Sequence, residues 1–597
     1  MSIALERELA NGQETKPAVR DEAFLILLMV VAAGMVGYLM IRNPNMGGDA
    51  LRSLLPIHNL IAGKGYTYLG EPQLFMPPGY GVLAYPFYVL TGDIEWSGML
   101  CSAVSYLMII ATSFYVARFL FGRGAGLLAS FFVAFCPTLI SLSYVNLSDV
   151  TFSFFYLLSF WIFVRMISRK DDIREAMLLG IVMGIAYLVR PEMFLVAVLA
   201  LGALFVFSAR EMIQKKGAGV MLSPILATAC FLVFLVPYMM FLQRHTGMWT
   251  FSGKTATIFI VAGEMVEEGP RRADVFMVEH PEYLDAGNRV NYVEYIRSRG
   301  GKFVERIKLN AKAELSKMTR ITFHAVAPLV LLIVVSPLFV IGKKPAGWKT
   351  GNQKIQNRML IVSFLIFFSP LPVLLVFNVV TRYLLPYSLL VFILLAFLIV
   401  RLVEMASHRV GERFAGWALV AACGVSLASL SVRMPHVNAP SLYETLTERH
   451  AHRGLRAAGL WLRGHVRDLD DLSIIAPRKG VLSLFYASGK QNPRGACIDI
   501  PINMSLGEVV GIVRGGEADF LVLDHTYIYT RPQLLPLWND PDMSEGLGMR
   551  LVYRDGENLV QIYSAQNEHG SGEEELNAGA RLDVISNTIA TRRSRRV

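Results

Sequence analysis

Long apolar runs recur along this chain, and they restrict its possible folds more than any other feature of the sequence. We count about eleven of them, most near the length of about 18 residues at which a helix can cross the hydrocarbon core of a bilayer. Hydrophobic residues make up 54% of the chain and charged residues only 17%, a balance that excludes an ordinary soluble enzyme. The sequence therefore predicts a polytopic α-helical membrane protein with spans near 23–41, 97–117, 124–142, 147–167, 175–189, 193–209, 219–242, 323–342, 359–379, 383–400 and 414–432.

Two further segments are interpreted from their length and flanks. The stretch 79–92 is too short to span a bilayer comfortably, so we expect a re-entrant or interfacial piece. The first apolar run follows a polar tail, residues 1–22, and lacks a small-residue cleavage site. It is therefore predicted to be an anchor rather than a cleaved signal peptide.

Lys and Arg are concentrated in alternate loops, which predicts the orientation of the chain. The positive-inside rule then puts the N-terminus in the cytoplasm of a multi-pass protein of the cell (inner or plasma) membrane. With an odd number of spans, the loops 42–96 and 243–322 and everything after about 433 lie outside the cytoplasm. The net charge of +10 is largely this loop bias and gives no reason to expect a nucleic-acid partner.

Residues 434–565 have the pattern of an extracytoplasmic α/β domain, and residues 23–433 form the membrane domain. Helical periodicity in LRAAGLWLRGHV, VLSLFYASG and SLGEVVGIVRGG alternates with strand-like SIIAP and ADFLVLDH. MRLVYRDGENLVQIYSA predicts a hairpin that turns on Asp555 and Gly556. The alternation favours a small, mainly parallel sheet, and the polar tail 566–597 is predicted to be disordered.

Charged residues gather at the predicted outer ends of four spans: Asp49, Asp149, the pair Arg190 and Glu192, and Arg382. Taken singly, each acid can be explained as a helix cap and each arginine as a side chain that reaches the interface. Their convergence on one face favours an outward-facing polar cavity. Arginines suit a phosphate or pyrophosphate group, and acids suit proton abstraction from a hydroxyl.

The stretch GMWTFSGKT, residues 247–255, has the appearance of a nucleotide phosphate-binding loop. Its Gly247 and Gly253 are separated by five residues where that motif needs four, and no helix is predicted to follow. We therefore reject an ATPase but keep Lys254 as a candidate phosphate contact in the outer cavity.

At these residues the chain resembles the polytopic, lipid-phosphate-dependent glycosyltransferases of the GT-C class. This class includes the protein O-mannosyltransferases, aminoarabinose transferases and rhizobial core-sugar transferases, which the chain resembles. The motifs that carry the resemblance are GGDALRSLLPIHNLIAGKGY, FMPPGYGVLAYPFYVL, the Leu-Ser-Asp at 147–149, YLVRPE at 187–192 and, more weakly, RYLLPY at 382–387. Many relatives have a second acid after the first, whereas here Ala50 follows Asp49, which leaves Glu71 or Asp149 as the second acid.

The resemblance implies transfer of a sugar, with inversion, from a polyprenyl-phosphate carrier to an acceptor hydroxyl of an envelope glycan, lipid or protein. Asp49 would be the general base and Asp149 a second catalytic acid, while Arg190, Arg382 and Lys254 would bind the donor phosphate. Gly47 and Gly48 would let the backbone pass close to the donor. The candidate substrate contacts are Arg52, His58, Tyr66, Glu71, Tyr80, Glu192 and Tyr383.

The cofactor and two other functional classes are left open. The outer domain has no metal-spaced cluster, and no cofactor is predicted with certainty. A divalent metal ion is left open, although no feature of the sequence indicates one. A transporter or flippase of a lipid-linked sugar is the alternative, but we find no internal repeat, and the long first loop and large outer domain are not what alternating access needs. A structural member of a surface-assembly complex is the third hypothesis.

Overall fold

The structure is a computed structural model of the 597-residue chain. It describes residues 15–43, 48–68, 70–169, 172–216, 218–269, 291–335, 351–410, 412–431, 453–466, 472–476, 497–498, 500–501, 503–555 and 560–566. The predicted helix VLSLFYASG, Gly47, Gly556 of the predicted hairpin turn and the tail after 566 lie outside these residues.

Helices dominate the chain up to residue 431, as the apolar runs predict. Their bounds are α1 Thr15–Arg42, α2 Gly48–Ile61, α3 Gly79–Thr91, α4 Ile94–Phe121, α5 Arg123–Ala134, α6 Pro137–Ser143, α7 Ser148–Arg169, α8 Ile173–Val189, α9 Met193–Glu211, α10 Leu222–Thr246, α11 Thr255–Glu267, α12 Tyr292–Arg299, α13 Gly301–Val335, α14 Gly351–Phe368, α15 Leu371–Leu374, α16 Leu385–Val410 and α17 Glu412–Ser431. A 3₁₀ turn, Thr381–Leu384, leads into α16.

Six helices of the described chain are long and apolar enough to cross a membrane: α1, α4, α7, α9, α10 and the helix from Thr381. A seventh span results if α5 and α6, which are bent by 58° at a short break, count as one. The predicted spans 175–189, 359–379 and 414–432 correspond to the shorter helices α8, α14 and α17. The predicted span 323–342 begins in α13 and continues past Val335, beyond the described residues. The multi-span helical architecture is confirmed, while the count of eleven stays a prediction.

Small residues allow two central helices, α8 and α10, to pack closely. A Cβ atom at Gly180 would lie 2.1 Å from the Ala227 carbonyl oxygen, and one at Gly184 would lie 2.4 Å from the Phe234 ring. Glycines four residues apart lie on one face of a helix and permit this kind of approach between membrane helices. This packing holds the end of α8, from which Arg190 projects, at a defined place in the bundle.

The loop between α1 and α4 is folded. It contains α2, a two-stranded hairpin of β1 (Thr67–Tyr68) and β2 (Glu71–Pro72), and α3. The Gln73 amide links these pieces, because its Nε2 donates to the Arg52 carbonyl oxygen (2.8 Å) and its Oε1 accepts from the Phe75 backbone N–H (3.0 Å). The predicted interfacial segment 79–92 is thus a short helix that Gly92 ends in the left-handed conformation (φ 67°).

A five-stranded sheet follows the helices. After α18 (Arg453–His465) come β3 Ile474–Ile475, β4 Cys497–Ile498, α19 Leu506–Arg514, β5 Phe520–Asp524, α20 His525–Thr530, α21 Leu535–Asn539, α22 Met543–Gly546, β6 Met549–Arg554 and β7 Val560–Ala565. The strand order is β4-β3-β5-β7-β6. The predicted strands, hairpin and helices that fall on described residues are all present.

The prediction of a mainly parallel sheet is wrong. β3 pairs in parallel with β4 and β5, whereas β7 pairs antiparallel with β5 and β6. The physical reason is the terminal hairpin, whose second strand, β7, takes the place beside β5. β6 runs in the same direction as β5. A hairpin returns the chain in the opposite direction, so β7 is antiparallel to both neighbours.

Helix α18 joins the sheet to the membrane helices. Its residues Leu455, Ala458 and Leu462 belong to the same buried apolar cluster as the membrane helices. Arg456 on this helix forms a two-oxygen contact with Glu95 in the first turn of α4: Nε lies 3.1 Å and 2.9 Å from the two oxygens, and Nη2 lies 2.9 Å from Oε2. The Glu95 side chain is only 2% exposed, so this ion pair is part of the junction.

Candidate active site

The turn between α8 and α9 presents Arg190 in an extended conformation. Arg190 ends α8 with φ −151° and ψ 126°, and its N–H still donates to the Ala186 carbonyl oxygen (2.8 Å). Pro191 follows, and a residue before proline is disfavoured in the helical region, so the helix ends here. Because Arg190 is only 7% exposed, its guanidinium lies inside the protein at the end of a span.

Gly79 brings the start of α3 against this turn. A Cβ atom at Gly79 would lie 2.4 Å from the Leu188 carbonyl carbon and 2.6 Å from the Val189 nitrogen. These atoms belong to the backbone and cannot rotate away, so the close approach requires glycine. The PPGYG motif therefore supports the turn that carries Arg190.

Arg190 joins two acids from different parts of the chain. It donates through Nη1 to Asp149 and through Nη2 to Glu192 Oε1 at 3.1 Å. Glu192 Oε1 also lies 3.4 Å from Lys254 Nζ. The Arg190 and Asp149 side chains are 8% and 3% exposed. Their pairing offsets the free-energy cost of removing two charges from water. The four residues form a chain of alternating, compensating charges.

Asp49 pairs with Arg382, at 3.1 Å between Oδ2 and Nη2. This pair is more open, because its side chains are 42% and 28% exposed. Asp49 is the second residue of α2, which begins at Gly48, so the interpretation of Asp49 as an N-cap is not supported. Its charge in the first helical turn remains favourable to the helix dipole.

The Tyr383 ring brings the two ion-paired groups together. The guanidinium carbons of Arg190 and Arg382 lie 4.7 Å and 5.5 Å from its centroid, and Arg382 also interacts electrostatically with Asp149. We call Asp49, Asp149, Arg190, Glu192, Lys254 and Arg382 the charged cluster. Three acids and three bases give it a formal charge of zero, and five of its six members come from predicted span ends.

The neighbouring bases of the cluster favour the ionised form of Glu192. Burial alone would raise the pKa of Glu192, but the charges of Arg190 and Lys254 outweigh burial and hold this pKa well below its usual range. Glu192 therefore anchors the two bases, and it is unsuited to accept a proton from a substrate.

Three of the predicted substrate contacts contribute to the folded loop. The Arg52 guanidinium lies over Phe75, 5.6 Å from the ring centroid. The Tyr66 hydroxyl donates to the Met76 carbonyl oxygen at 2.7 Å. His58 packs against the Tyr88 ring, and burial lowers the pKa of His58 to about 4, so it is uncharged at neutral pH.

Glu71 and Tyr80 are not members of the charged cluster, although Tyr80 interacts electrostatically with Asp149. Glu71 is exposed on β2. Tyr80 is 1% exposed, and its hydroxyl donates to the Gly98 carbonyl oxygen at 2.9 Å and lies 3.1 Å from the Ser102 hydroxyl. Because that hydroxyl is already satisfied, Tyr80 packs α3 onto α4, and we do not retain it as a sugar contact.

Helix α13 adds two ionisable residues that the sequence analysis missed. Lys317 donates through Nζ to the Val379 carbonyl oxygen, just before the turn that carries Arg382. Glu314 interacts electrostatically with Tyr387, as do Arg190 and Glu192. The available signal was the spacing of Asn310, Glu314 and Lys317, which puts three polar residues on one face of a helix.

The expectation that no helix follows the phosphate-loop-like stretch is wrong. Lys254 immediately precedes α11, yet the spacing of Gly247 and Gly253 still differs from the motif, and Lys254 contacts Glu192.

A metal site is not formed among the described residues, which contain no group of three or more His, Cys, Asp and Glu side chains arranged to hold an ion. The partner of Asp49 is an arginine rather than a second acid, so this arrangement does not fit a metal at Asp49.

Part of this chain matches a known protein family, and most of it superposes on a solved structure. Residues 76–241, which include Asp149 and Arg190, match the sequence profile of the dolichyl-phosphate-mannose-protein mannosyltransferase family. ArnT from Cupriavidus metallidurans bound to undecaprenyl phosphate superposes with a TM-score of 0.51 at 14% identity, over 93% of this chain and 99% of that chain. This chain has the GT-C glycosyltransferase fold. The resemblance to the GT-C class inferred from the motifs is confirmed.

A second GT-C structure agrees with the first. The apo oligosaccharyltransferase of Archaeoglobus fulgidus superposes with a TM-score of 0.50 at 13% identity, over 85% of this chain and 71% of that chain. Comparison with curated protein sequences returns no match. At such low identity, the structural likeness establishes the GT-C fold, and the reaction has to be argued from the charged cluster.

Proposed function

We propose that this GT-C protein transfers a sugar from a polyprenyl-phosphate carrier to an acceptor hydroxyl on the extracytoplasmic face of the membrane. The observation that carries the proposal is the difference in solvent exposure between Asp49 and Asp149. Asp49 is 42% exposed and paired with a partly exposed arginine, whereas Asp149 is 3% exposed and paired with a buried one. Of these two acids, Asp49 is the one accessible to an incoming acceptor, so we assign Asp49 as the general base and Asp149 as a positioning residue.

The reaction balances with the groups present. Asp49 accepts the proton of the acceptor hydroxyl as that oxygen attacks the anomeric carbon of the donor sugar. The bond between this carbon and the phosphate oxygen breaks, with inversion. The electron pair leaves with the polyprenyl phosphate, whose negative charge increases. Cations near the leaving oxygen stabilise that developing charge.

Arg382 is the best candidate for the direct phosphate contact, because its side chain is 28% exposed. An arriving phosphate would draw Arg382 from Asp49 and free the carboxylate for proton transfer. Arg190 and Lys254 are each paired with an acid, and their side chains are 8% and 10% exposed. We assign these two a positioning role: they hold Asp149, Glu192 and the Tyr383 ring in place.

The relatives suggest which donors to test. The matched family is described by dolichyl-phosphate-mannose, and the ArnT structure contains undecaprenyl phosphate. The purified protein in liposomes would receive radiolabelled undecaprenyl-phosphate mannose, glucose, galactose or arabinose together with a cell-envelope fraction as acceptor. We expect release of undecaprenyl phosphate and label in the envelope fraction for one of these donors. Movement of intact donor across the liposome membrane without cleavage would instead identify a flippase.

A further inference from the structure

One face of α13 lies against the segment 375–379 that leads to Arg382. Arg306, Asn310, Glu314 and Lys317 recur at intervals of four, four and three residues, so they share this face. Asn310 Nδ2 donates to the carbonyl oxygens of Leu375 (2.8 Å) and Phe377 (3.2 Å).

The flanking basic residues of this face make the same kind of bond. Arg306 Nε donates to the Phe377 carbonyl oxygen at 3.4 Å, and Lys317 Nζ donates to that of Val379. Three donors on α13 therefore meet a segment that presents carbonyl oxygens.

Glu314 is the exception on this face, because an ionised carboxylate can only accept hydrogen bonds. It stands between Asn310 and Lys317, and its Oε2 atom is buried with no hydrogen-bond partner among the described residues. Burial raises the pKa of Glu314, as expected for a carboxyl group that lacks a compensating donor. A buried, unsatisfied acceptor is unfavourable in the unliganded protein, and this polar group calls for an explanation.

The position of Glu314 indicates what could satisfy it. Glu314 interacts electrostatically with Tyr387, and Tyr387 also interacts with Arg190 and Glu192, so Tyr387 links the Glu314 carboxyl group to two members of the charged cluster. The acids and bases of that cluster already compensate one another. In the described part of the chain, none of the ion pairs formed by Arg190, Lys254 or Arg382 includes Glu314. No donor among the described residues therefore satisfies Glu314 Oε2.

We propose that Glu314 binds a hydroxyl group of the sugar that is transferred, and so contributes to the choice of sugar. This assignment rests on the proposed function. Glu314 as a whole is partly exposed. A sugar hydroxyl is a neutral donor, and carboxylates form strong hydrogen bonds with such donors. A site built to bind a hydroxyl discriminates against a donor that lacks it, because the carboxyl group is then left unsatisfied.

Deoxy analogues of the donor test this assignment. The donor that the wild-type protein uses would be compared with its monodeoxy analogues, each lacking one ring hydroxyl. We expect kcat/KM of the wild type to fall roughly ten- to hundredfold for one analogue beyond the others. In Glu314→Leu, the parent donor should be used as poorly as that analogue, and the difference between the two should disappear. Glu314→Gln retains an acceptor oxygen and should show a smaller loss than Glu314→Leu.

Glu305→Gln provides the matched control. Glu305 lies on the same helix, its side chain is 60% exposed, and it contacts Lys308 at 3.8 Å, so its deoxy profile should equal that of the wild type. Identical deoxy profiles for the wild type, Glu314→Gln and Glu314→Leu would overturn the assignment and leave the proposed function standing. That result would mean that Glu314 is satisfied by water or by Lys317. A wild-type protein that uses none of the lipid-phosphate sugars would remove the proposed function itself.

Discussion

At the residue scale, Asp49 and Asp149 are chemically the same group in two different surroundings. Both are the second residue of a helix, and both pair with an arginine. What separates them is exposure, and exposure decides which of them can meet an acceptor. Substitutions that keep shape and remove charge are therefore the informative ones.

Asp49→Asn should slow sugar transfer by at least about a hundredfold, because an amide cannot accept the acceptor proton and loss of a general base costs about 10²–10⁴ in rate. Donor binding should persist, since Arg382 remains. Single-turnover release of polyprenyl phosphate would measure the effect. Asp149→Asn is the comparison and should show a smaller loss. If Asp149→Asn abolished transfer while Asp49→Asn stayed near normal, the base would be Asp149.

Arg190→Ala and Arg382→Ala should fail in different ways, although both arginines were predicted from sequence to bind phosphate. Arg190→Ala leaves the buried Asp149 unpaired, and such a loss costs about 3–5 kcal/mol of stability. Arg382→Ala leaves a half-exposed Asp49, so the protein should fold normally and lose kcat/KM by about 2 kcal/mol or more, roughly thirtyfold. Thermal unfolding in detergent, measured beside activity, separates these outcomes. A stable but inactive Arg190→Ala protein would favour direct phosphate binding by Arg190.

At the scale of elements, two contacts between helices fix parts of the molecule that lie outside the charged cluster. The start of α3 meets the end of α8 at Gly79, and the first turn of α4 meets α18 through Glu95 and Arg456. Neither contact touches the cluster, so each can be disturbed separately.

Gly79→Ala should destabilise the protein by about 1–3 kcal/mol, the usual result of forcing an atom into a packed position. The new Cβ would have to displace backbone at Leu188 and Val189, next to Arg190. Transfer should fall together with the melting temperature. Gly202→Ala, at a helical position with nothing within 4 Å of the new Cβ, is the control and should be neutral or slightly stabilising. Equal melting temperatures for the two variants would refute the close approach.

Arg456→Met should weaken the attachment of α18 by about 3–5 kcal/mol, because it leaves Glu95 buried and unpaired. Adding Glu95→Gln removes that charge, so the double variant should regain part of the loss. Limited proteolysis after residue 433 would report the attachment. A double variant that is cleaved faster than Arg456→Met would contradict a role for this pair.

At the scale of the whole molecule, the orientation of the bundle decides on which side of the membrane the chemistry occurs. Basic residues in alternate loops predict that the charged cluster and the sheet lie outside the cytoplasm. This orientation remains a prediction, and all roles proposed for the cluster depend on it.

A reporter that is active only outside the cytoplasm should be active when fused after about residue 435 and inactive when fused within 343–358. A reporter that requires the cytoplasm should give the opposite pattern and serves as the control. Reversed activity of both reporters would place the cluster in the cytoplasm and exclude a donor presented on the outer face.

Local patterns in the sequence were sufficient for the membrane class, most helix positions and the members of the charged cluster. Apolar runs and the periodic patterns of helices and strands depend on neighbours within a few residues, so they can be recognised without the fold. Only the tertiary structure decided which acid meets which arginine, because Asp149 and Arg190 are 41 residues apart, and Asp49 and Arg382 are 333 residues apart. It also decided the antiparallel place of β7, the burial of Tyr80 and the unsatisfied Oε2 atom of Glu314. Those features depend on long-range packing, and no local pattern of residues encodes them.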